Sequence, residues 1–186
     1  MATPIPHLVD AVSHDQLVYT KNNLEISAFL VDHAPVYPAL GYRLQYQNCK
    51  ITISGDTKVL QSEVNEAKNA DVFISEALNV AQTEAMSNTK KAEGHLAKYD
   101  ILQDISNYHS DTLKLAQIAQ EAQVKHLVLT HIDPPFIPSE EGANKFISGM
   151  SQYYKGPIIV ASDRDELILT PSTDGACQFE YVPAKK

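Results

Sequence analysis

Hydrophobic positions early in the chain follow the patterns of β-strands. Residues 24–32 (LEISAFLVD) are mostly apolar, and residues 42–47 (YRLQYQ) alternate apolar with polar side chains, the period of a half-buried strand. The segment CKITISGD follows after a Gln-Asn pair, so we expect it to form a hairpin with residues 42–47. Two later segments, ADVFISEAL and HLVLTH, are short continuous apolar runs, which are typical of strands buried on both faces of a sheet.

Helical periodicity predicts the elements between and after these strands. Residues 57–68 place apolar side chains on one helical face, and residues 110–123 carry a wider apolar stripe with Ser110 as the expected N-cap. Residues 79–104 are polar and mixed in pattern, and we expect one helix within them, around residues 81–97. A further helix is predicted to open at Ser-Glu-Glu 139–141 and to run to about residue 154.

The segments GPIIVAS and DELILT predict two closing strands, with a Pro-rich loop, IDPPFIPS, ending the HLVLTH strand before them. Strands come first, and helices then alternate with strands. This order predicts a mixed α/β domain.

Composition narrows the class of protein. The chain has 186 residues and a formal net charge of −8, which argues against a general affinity for nucleic acid because phosphate binding needs clustered Lys and Arg. No apolar run is long enough to span a membrane. The two cysteines, Cys49 and Cys177, have no metal-site spacing, and we interpret them as ordinary thiols in preference to one long-range disulfide.

Three apolar strands end in side chains that can bind a metal ion. FLVDH ends at His33, ITISGD at Asp56 and LVLTH at His131. Two imidazoles and a carboxylate are ligands that Zn²⁺ accepts. The sequence leaves the alternatives open, because a strand-end histidine is often only a polar residue leaving the core, and Asp56 or Thr57 could cap the helix predicted after them.

Several segments in a fixed order resemble a known family. They are VDHAPVYPALGYRLQY, ITISGDT, ADVFISEAL, YHSDTLKLAQIAQEAQVKHLVLTHIDPP and GPIIVASDRDELIL. Over about residues 24–169 the chain resembles the C-terminal half of a metallo-β-lactamase-fold hydrolase, in the branch of ribonuclease Z and the arylsulfatase-like and phosphodiesterase-like enzymes. The resemblance implies an α/β fold, half of an αββα sandwich, with a mixed sheet and flanking helices.

The same resemblance implies a division of the chain. Residues 1–23 would be a connecting segment, residues 24–170 the C-terminal part of the metallo-β-lactamase-like domain, and residues 171–186 a C-terminal tail.

The resemblance also assigns roles to single residues. His33 matches a ligand of one metal, Asp56 the carboxylate that bridges two metals, and His131 a ligand of the second metal. His109 matches a histidine that helps to protonate the leaving group, and Glu76 a glutamate that supports the site from behind the ligands. The implied cofactor is a pair of zinc ions, and the implied mechanism is attack by a metal-bridged hydroxide with Asp56 and His109 as catalytic residues.

The assignment of His109 has an alternative, in which it is a helix-start histidine packed on the sheet. A position just before the helix 110–123 lies near the positive end of the helix dipole. We therefore expect a lowered pKa for His109.

The chain departs from the family in one motif. His-x-His-x-Asp-His is absent, and the only histidines upstream of His33 are His7 and His14, at the wrong spacing. We expect the chain to be a fragment of a longer protein, or else a half-domain that pairs with another chain. The compartment, cytoplasmic or periplasmic, stays open.

A second departure concerns the substrate. Only 22 residues separate His33 from Asp56, too few for the long tRNA-clamping arm of many bacterial ribonuclease Z proteins. Together with the acidic net charge this predicts a small anionic ester, a phosphodiester or sulfate ester, with nucleic acid not favoured and no membrane partner. Self-association is expected from an exposed sheet edge. The alternative function is a catalytically inactive fold remnant or an interaction module.

Overall fold

A computed structural model describes residues 15–184, and its centre is a seven-stranded mixed sheet in which the strands follow chain order. The first four strands are antiparallel neighbours, and β4 to β7 are parallel. The strands are β1 (Gln16–Lys21), β2 (Leu24–His33), β3 (Val36–Tyr46), β4 (Cys49–Ile53), β5 (Val72–Leu78), β6 (His126–Asp133) and β7 (Ile158–Val160). Parallel neighbours require crossover connections, and helices supply them.

Within residues 15–184, five α-helices and two short 3₁₀ turns accompany the sheet. They are α1 (Glu63–Glu66), α2 (Val80–Ala92), α3 (Leu96–Asp104), α4 (Thr112–Glu121) and α5 (Glu140–Phe146), with 3₁₀ turns at Ile105–Asn107 and Met150–Gln152. Leu115, Ala116 and Ala119 of α4 are fully buried and share one hydrophobic core with Phe73 of β5 and Leu127 of β6. This core fixes the parallel half of the sheet, whose strand ends carry the candidate site. The predicted mixed α/β fold is confirmed.

The predicted strands and their hairpin are also confirmed. Tyr46 of β3 pairs with Cys49 of β4 across the Gln-Asn turn. Gly41 of β3 lies against Phe29 of β2, and a Cβ at this position would come within 2.4 Å of the Phe29 ring. The glycine therefore leaves the space that the Phe29 ring occupies.

The helix predicted over residues 57–68 is wrong, since only the four-residue α1 forms there. Backbone N–H groups of this segment bind buried carboxylates instead of the carbonyls of a helix. The N–H of Thr57 donates to Glu76 Oε1 at 3.1 Å, and the N–H of Leu60 donates to Glu63 Oε2 at 2.8 Å. The bond from Thr57 to Glu76, 19 positions away, and the local bond from Leu60 to Glu63 thus override the apolar pattern of a helix.

The helix predicted over residues 110–123 forms as α4, but Ser110 is not its N-cap. The side chain of Asp111 accepts the capping hydrogen bond from the N–H of Lys114. Ser110 is fully buried, and its hydroxyl donates to the carbonyl of Thr57 at 2.7 Å. Ser110 therefore ties the start of this segment to the loop after β4.

Two other helix predictions change in extent. The region 79–104 holds two helices, α2 and α3, where one was expected. The helix that opens after Ser139 ends at Phe146, and a 3₁₀ turn follows Gly149, which has a φ of +89°. A left-handed residue at this position cannot continue the helix.

A separate two-stranded sheet, β8 (Glu166–Pro171) and β9 (Cys177–Val182), closes the described chain. Cys177 at the start of β9 forms a disulfide with Cys49 of β4, with the two Cα atoms 5.0 Å apart. The interpretation of both cysteines as free thiols is wrong. The interpretation failed because β9 was not predicted, and β9 is the strand that brings Cys177 to β4.

The division of the chain into residues 1–23, 24–170 and 171–186 stays a prediction, with β1 falling in the first part and β9 in the last. The two histidines upstream of His33, His7 and His14, lie outside the described residues. Within residues 15–184, no helix combines the length and apolarity needed to cross a bilayer.

Candidate metal centre

Three histidines and one aspartate form a continuous cluster at one edge of the sheet. The ring centroids of His33 and His109 lie 5.1 Å apart, and those of His109 and His131 lie 5.7 Å apart. Nε2 of His131 lies 3.6 Å from Oδ2 of Asp56. The structure thus brings together residues that come from the end of β2, the loop after β4, the loop before α4 and the end of β6.

His131 reaches the cluster through a bulge in β6. Pairing with β5 passes from Glu76 opposite Thr130 to Ala77 opposite Ile132, so His131 is an extra, unpaired residue. Its φ is +41°, a conformation that costs free energy for any residue with a side chain. A bulge changes the direction of a side chain at a strand end. Here it leaves the imidazole 60% exposed and beside Asp56.

The ring of His33 is oriented by a backbone carbonyl. Its Nδ1 lies 3.0 Å from the carbonyl oxygen of Tyr108, and the Tyr108 ring meets it edge-on. A carbonyl only accepts, so Nδ1 carries the proton and donates it. Nε2 is then the nitrogen with a free lone pair, which is the arrangement found for histidines that bind metals.

Asp56 is placed by the glycine before it. Gly55 has a φ of +66°, and a Cβ there would lie 2.4 Å from the carbonyl oxygen of Leu40. The side chain of Asp56 is 46% exposed. The alternative in which Asp56 or Thr57 caps a helix is wrong, because the next helix begins at Glu63 with Ser62 before it.

Glu76 supports His109 from the buried side of the cluster. Its Oε1 accepts three hydrogen bonds, from the N–H of Thr57 at 3.1 Å, the N–H of Ser110 at 3.1 Å and Nδ1 of His109 at 3.0 Å. The hydrogen bond to Glu76 raises the pKa of His109 above its ordinary value, and partial burial opposes this shift. The lowered pKa expected from the helix dipole is therefore wrong, because a carboxylate in contact outweighs the dipole of a neighbouring helix.

Asp133 is a member of the cluster that the sequence analysis missed. It ends β6 two residues after His131, and its charge acts on both His109 and His131. Burial raises the pKa of the Asp133 carboxyl, while the two imidazoles oppose that shift. The signal was present in the sequence, since Asp133 is the last polar residue before the Pro-Pro pair that ends the strand.

The donors suit zinc in kind and in spacing. With bonds of 2.0–2.2 Å, two ligands of one tetrahedral zinc ion lie about 3.4 Å apart, and Asp56 Oδ2 and His131 Nε2 lie 3.6 Å apart. Among residues 15–184, the ligand atoms of His33, Asp56 and His131 do not all fall within 4.8 Å of one another. The ligand atom of His33 therefore lies more than 4.8 Å from that of Asp56, of His131 or of both.

Another group with ligand-like spacing does not suit a metal. Ligand atoms of Cys49, Asp71 and Cys177 lie within 4.8 Å of one another. The two sulfurs are bonded to each other, so neither is available as a thiolate.

Comparison with known proteins identifies the family to which this chain belongs. Residues 5–132 match the family model described as "Beta-lactamase superfamily domain". The ribonuclease Z of Mycolicibacterium gilvum (strain PYR-GCK) is 27% identical over 141 residues, covering 76% of this chain and 45% of that protein. The ribonuclease Z of Mycobacterium avium (strain 104) is 28% identical, covering 73% of this chain and 45% of that protein. The chain thus spans a little under half the length of these relatives.

Solved structures agree on the fold. The metallo-beta-lactamase fold protein YhfI from Bacillus subtilis superimposes with a TM-score of 0.56 at 21% identity, covering 79% of this chain and 49% of that one. Human tRNase Z, short form, superimposes with a TM-score of 0.50 at 23% identity, covering 83% of this chain and 46% of that one.

These relatives correct one expectation. The expectation that nucleic acid is not favoured as a partner is wrong, because the similar curated proteins are ribonucleases Z and a tRNase Z shares the fold. The net charge of −8 is a sum over the whole chain. Such a sum does not describe the potential at one site, least of all where bound cations add positive charge.

Proposed function

Because this chain belongs to the beta-lactamase superfamily, as the match over residues 5–132 shows, we propose that the protein hydrolyses phosphodiester bonds in RNA with the help of bound metal ions. The observation that supports this most is the joint presence of two features. A cluster of histidines and an aspartate lies at the strand ends, and the curated relatives with 27–28% identity are ribonucleases Z.

His33, Asp56 and His131 would hold the metal ions, and zinc is the ion that their donor atoms suit best. When bound, such ions stabilise the negative charge that develops on the phosphate oxygens and supply a nucleophile from water at neutral pH. His33 is already oriented through Tyr108, which fixes the tautomer that a metal requires. The exposed pair of Asp56 and His131 faces solvent, where an RNA strand has access.

His109 would act as the general acid. Its Nδ1 is held by Glu76, so Nε2 is the nitrogen that can deliver a proton to the leaving ribose oxygen. The raised pKa keeps a larger fraction of His109 protonated near neutral pH, which an acid requires. His109 touches the rings of His33 and His131, so the proton is delivered beside the proposed metal ligands.

A second candidate function is a non-catalytic module. The observation that favours it is that residues 15–184 supply three proposed ligands, whereas two catalytic zinc sites need about three protein ligands each. The two candidates differ in whether the metal-loaded chain cleaves RNA.

The test is cleavage of a short labelled RNA with a structured stem and a 3′ extension by the purified, zinc-loaded chain. We expect metal-dependent cleavage that leaves defined ends and that is lost in Asp56→Asn. His95→Ala is the matched control, since His95 is an exposed histidine at the start of α3. Metal-dependent RNA binding without cleavage would favour the non-catalytic module.

A further inference from the structure

A buried carboxylate, that of Asp71, lies beside the disulfide between Cys49 and Cys177. The two sulfurs and a carboxylate oxygen all lie within 4.8 Å of one another. Ligands of one tetrahedral zinc ion lie about 3.4–3.8 Å apart, as bonds of about 2.0–2.3 Å require. The spacing therefore suits one metal ion once the sulfurs are no longer bonded to each other.

Asp71 is fixed in this position by bonds that do not involve sulfur. Its N–H donates to the carbonyl of Lys50 at 2.9 Å, and its Oδ2 accepts from the N–H of Lys50 at 2.7 Å. Lys50 directly follows Cys49 in β4. Oδ1 of Asp71 accepts from Nζ of Lys125 at 2.7 Å. The carboxylate is thus oriented beside the sulfurs whether or not they are bonded.

Contacts on either side of the disulfide hold β9 against the large sheet. The side-chain amide of Asn48 donates to the carbonyl of Ala176, so the residues that precede the two cysteines are hydrogen-bonded to each other. Further along β9, the ring centroid of Phe179 lies 4.1 Å from that of His126 on β6. We therefore expect the two thiols to stay close together, and close to Asp71, after reduction.

The surroundings also give the sulfurs room to separate. Two thiolates on one zinc ion lie about 3.8 Å apart, which is wider than two bonded sulfurs. Cys49 lines a cavity of about 260 Å³, and Leu167 and Leu169 of β8 line the same cavity. The freed Cys49 side chain can therefore move without displacing packed atoms.

The charges of this group are compensated when an ion binds. The two thiolates and the Asp71 carboxylate are all anionic. Zn²⁺ offsets two of these charges, and the ammonium group of Lys125, ion-paired with Asp71 at 2.7 Å, offsets the third. Buried charges are stable only when they are paired in this way or coordinate a metal.

We propose that Cys49, Asp71 and Cys177 form a separate metal site, which binds Zn²⁺ when the disulfide is reduced. It lies at the opposite edge of the sheet from the histidine cluster, because Cys49 and Asp71 lie at the starts of β4 and β5, whereas Asp56 and His131 lie at strand ends. The ion replaces the disulfide as the cross-link between β9 and β4. This site does not depend on the proposed function.

The chemistry needs a reductant, for which a dithiol serves. Two electrons and two protons pass from the dithiol to the disulfide, so the S–S bond breaks, both sulfurs become thiols and the dithiol closes to its own disulfide. Zn²⁺ then displaces the two thiol protons and is held by two sulfurs and one carboxylate oxygen. Cys177 is partly exposed, so water can take the fourth position of the ion.

The test uses Cd²⁺ as the probe, because cadmium–thiolate bonds absorb in the ultraviolet and cadmium–imidazole bonds do not. The full chain is reduced with a dithiol, desalted without oxygen and titrated. We expect the absorption to saturate at one Cd²⁺ per chain, and we expect none from the oxidised chain. Ions bound by the histidine cluster therefore do not contribute to the signal. A reduced chain without this absorption overturns the proposal.

Asp71→Asn tests the carboxylate alone. Asparagine keeps the shape and an oxygen for the N–H of Lys50, but it removes the charge. We expect the affinity of the reduced chain for Cd²⁺ to fall at least about tenfold, since even residues that only support ligands contribute that much. Glu84→Gln is the matched control, because Glu84 is an exposed glutamate on α2. Equal affinities in these two variants would reject Asp71 as a ligand and with it the proposed site.

Cys177→Ser tests whether both sulfurs bind the same ion. The absorption for each bound Cd²⁺ should fall by about half, since one thiolate remains where there were two, and the affinity should fall at least tenfold. A Cys177→Ser chain that binds Cd²⁺ as tightly as the reduced wild type overturns the proposal.

The ¹H–¹⁵N NMR spectrum of the reduced chain is the measurement of its fold. We expect the signals of β4, β5 and β9 to stay those of a folded chain and to shift when Zn²⁺ is added. A reduced chain that loses these signals overturns the proposal, because the contacts around the disulfide then do not hold the sulfurs together. RNA cleavage enters none of these measurements, so their outcome is separate from that of the proposed function.

Discussion

Oε1 of Glu76 accepts a hydrogen bond from Nδ1 of His109 at 3.0 Å, joining residues 33 positions apart in the chain. Glu76 lies in β5 and is almost fully buried, whereas His109 lies in the loop before α4 with its side chain 14% exposed. The pair therefore connects the rigid interior of the sheet to a side chain that solvent can reach. A group that exchanges protons with a substrate benefits from such a fixed support.

Removal of the His109 imidazole should affect chemistry more than metal binding. We expect His109→Ala to lower kcat for RNA by about 10²–10⁴-fold, the usual contribution of a general acid, with metal content unchanged. The loss should shrink for a phosphodiester with a nitrophenyl leaving group, since that group leaves without a proton. Equal losses for good and poor leaving groups would return His109 to a structural role.

Removal of the His131 imidazole should affect metal binding itself. We expect His131→Ala to lower zinc affinity by at least about tenfold, because even residues that only support ligands contribute that much. Isothermal titration with Zn²⁺ measures the change, and His95→Ala is the control. A zinc affinity in His131→Ala that equals that of His95→Ala would exclude His131 from the ligand set.

The glycine before Asp56 should be costly to replace. Gly55→Ala forces a left-handed residue and a contact 2.4 Å from the carbonyl oxygen of Leu40. We expect it to lower the free energy of unfolding by about 1–3 kcal/mol from the backbone conformation alone, and by more once the contact is included. Gly175→Ala is the matched control, with a φ of +85° and no atom within 4 Å of the added Cβ. Denaturant unfolding of the two variants should differ, and equal losses would show that the contact relaxes freely.

The buried carboxyl of Glu63 should make stability fall as pH rises. Its pKa is about 7 in the folded chain against 4.5 for an ordinary glutamate. The folded state therefore binds the proton more tightly, so the stabilisation is complete below pH 4.5 and is lost as pH rises through about 7.

Glu63→Gln removes the ionisable group, so we expect its stability relative to wild type to increase over that interval. The increase should be at most about 3 kcal/mol, at 1.36 kcal/mol for each pKa unit. Urea unfolding at several pH values measures the difference, with Glu84→Gln as control. A difference that does not change between pH 4.5 and 8 would contradict the assignment.

Local patterns predicted the strands that carry His33 and His131, because alternation and apolar runs depend on neighbours in sequence. They could not predict the bulge at His131, since a bulge depends on the pairing between β5 and β6. The helix expected over residues 57–68 failed for a similar reason, because the backbone N–H of Thr57 donates to Glu76, which lies on β5.

Asp133 and the disulfide were missed because each depends on spatial neighbours. Asp133 belongs to the cluster because its carboxyl lies near two histidines, His131 on the same strand and His109 in the loop before α4. Cys177 pairs with Cys49 only once β9 folds back on β8 and brings it to β4.

The bond between Cys49 and Cys177 spans 128 positions and so closes most of the chain into a covalent ring. Asp56, Glu76, His109 and His131 lie inside this ring, and His33 lies in the arm that leads into it. A single cut by a protease in the exposed connection between α2 and α3, around Gly94, would open the ring without separating its parts. The two pieces would migrate apart on a gel only after reduction, and until then a nicked molecule would keep every candidate site residue in one covalent unit.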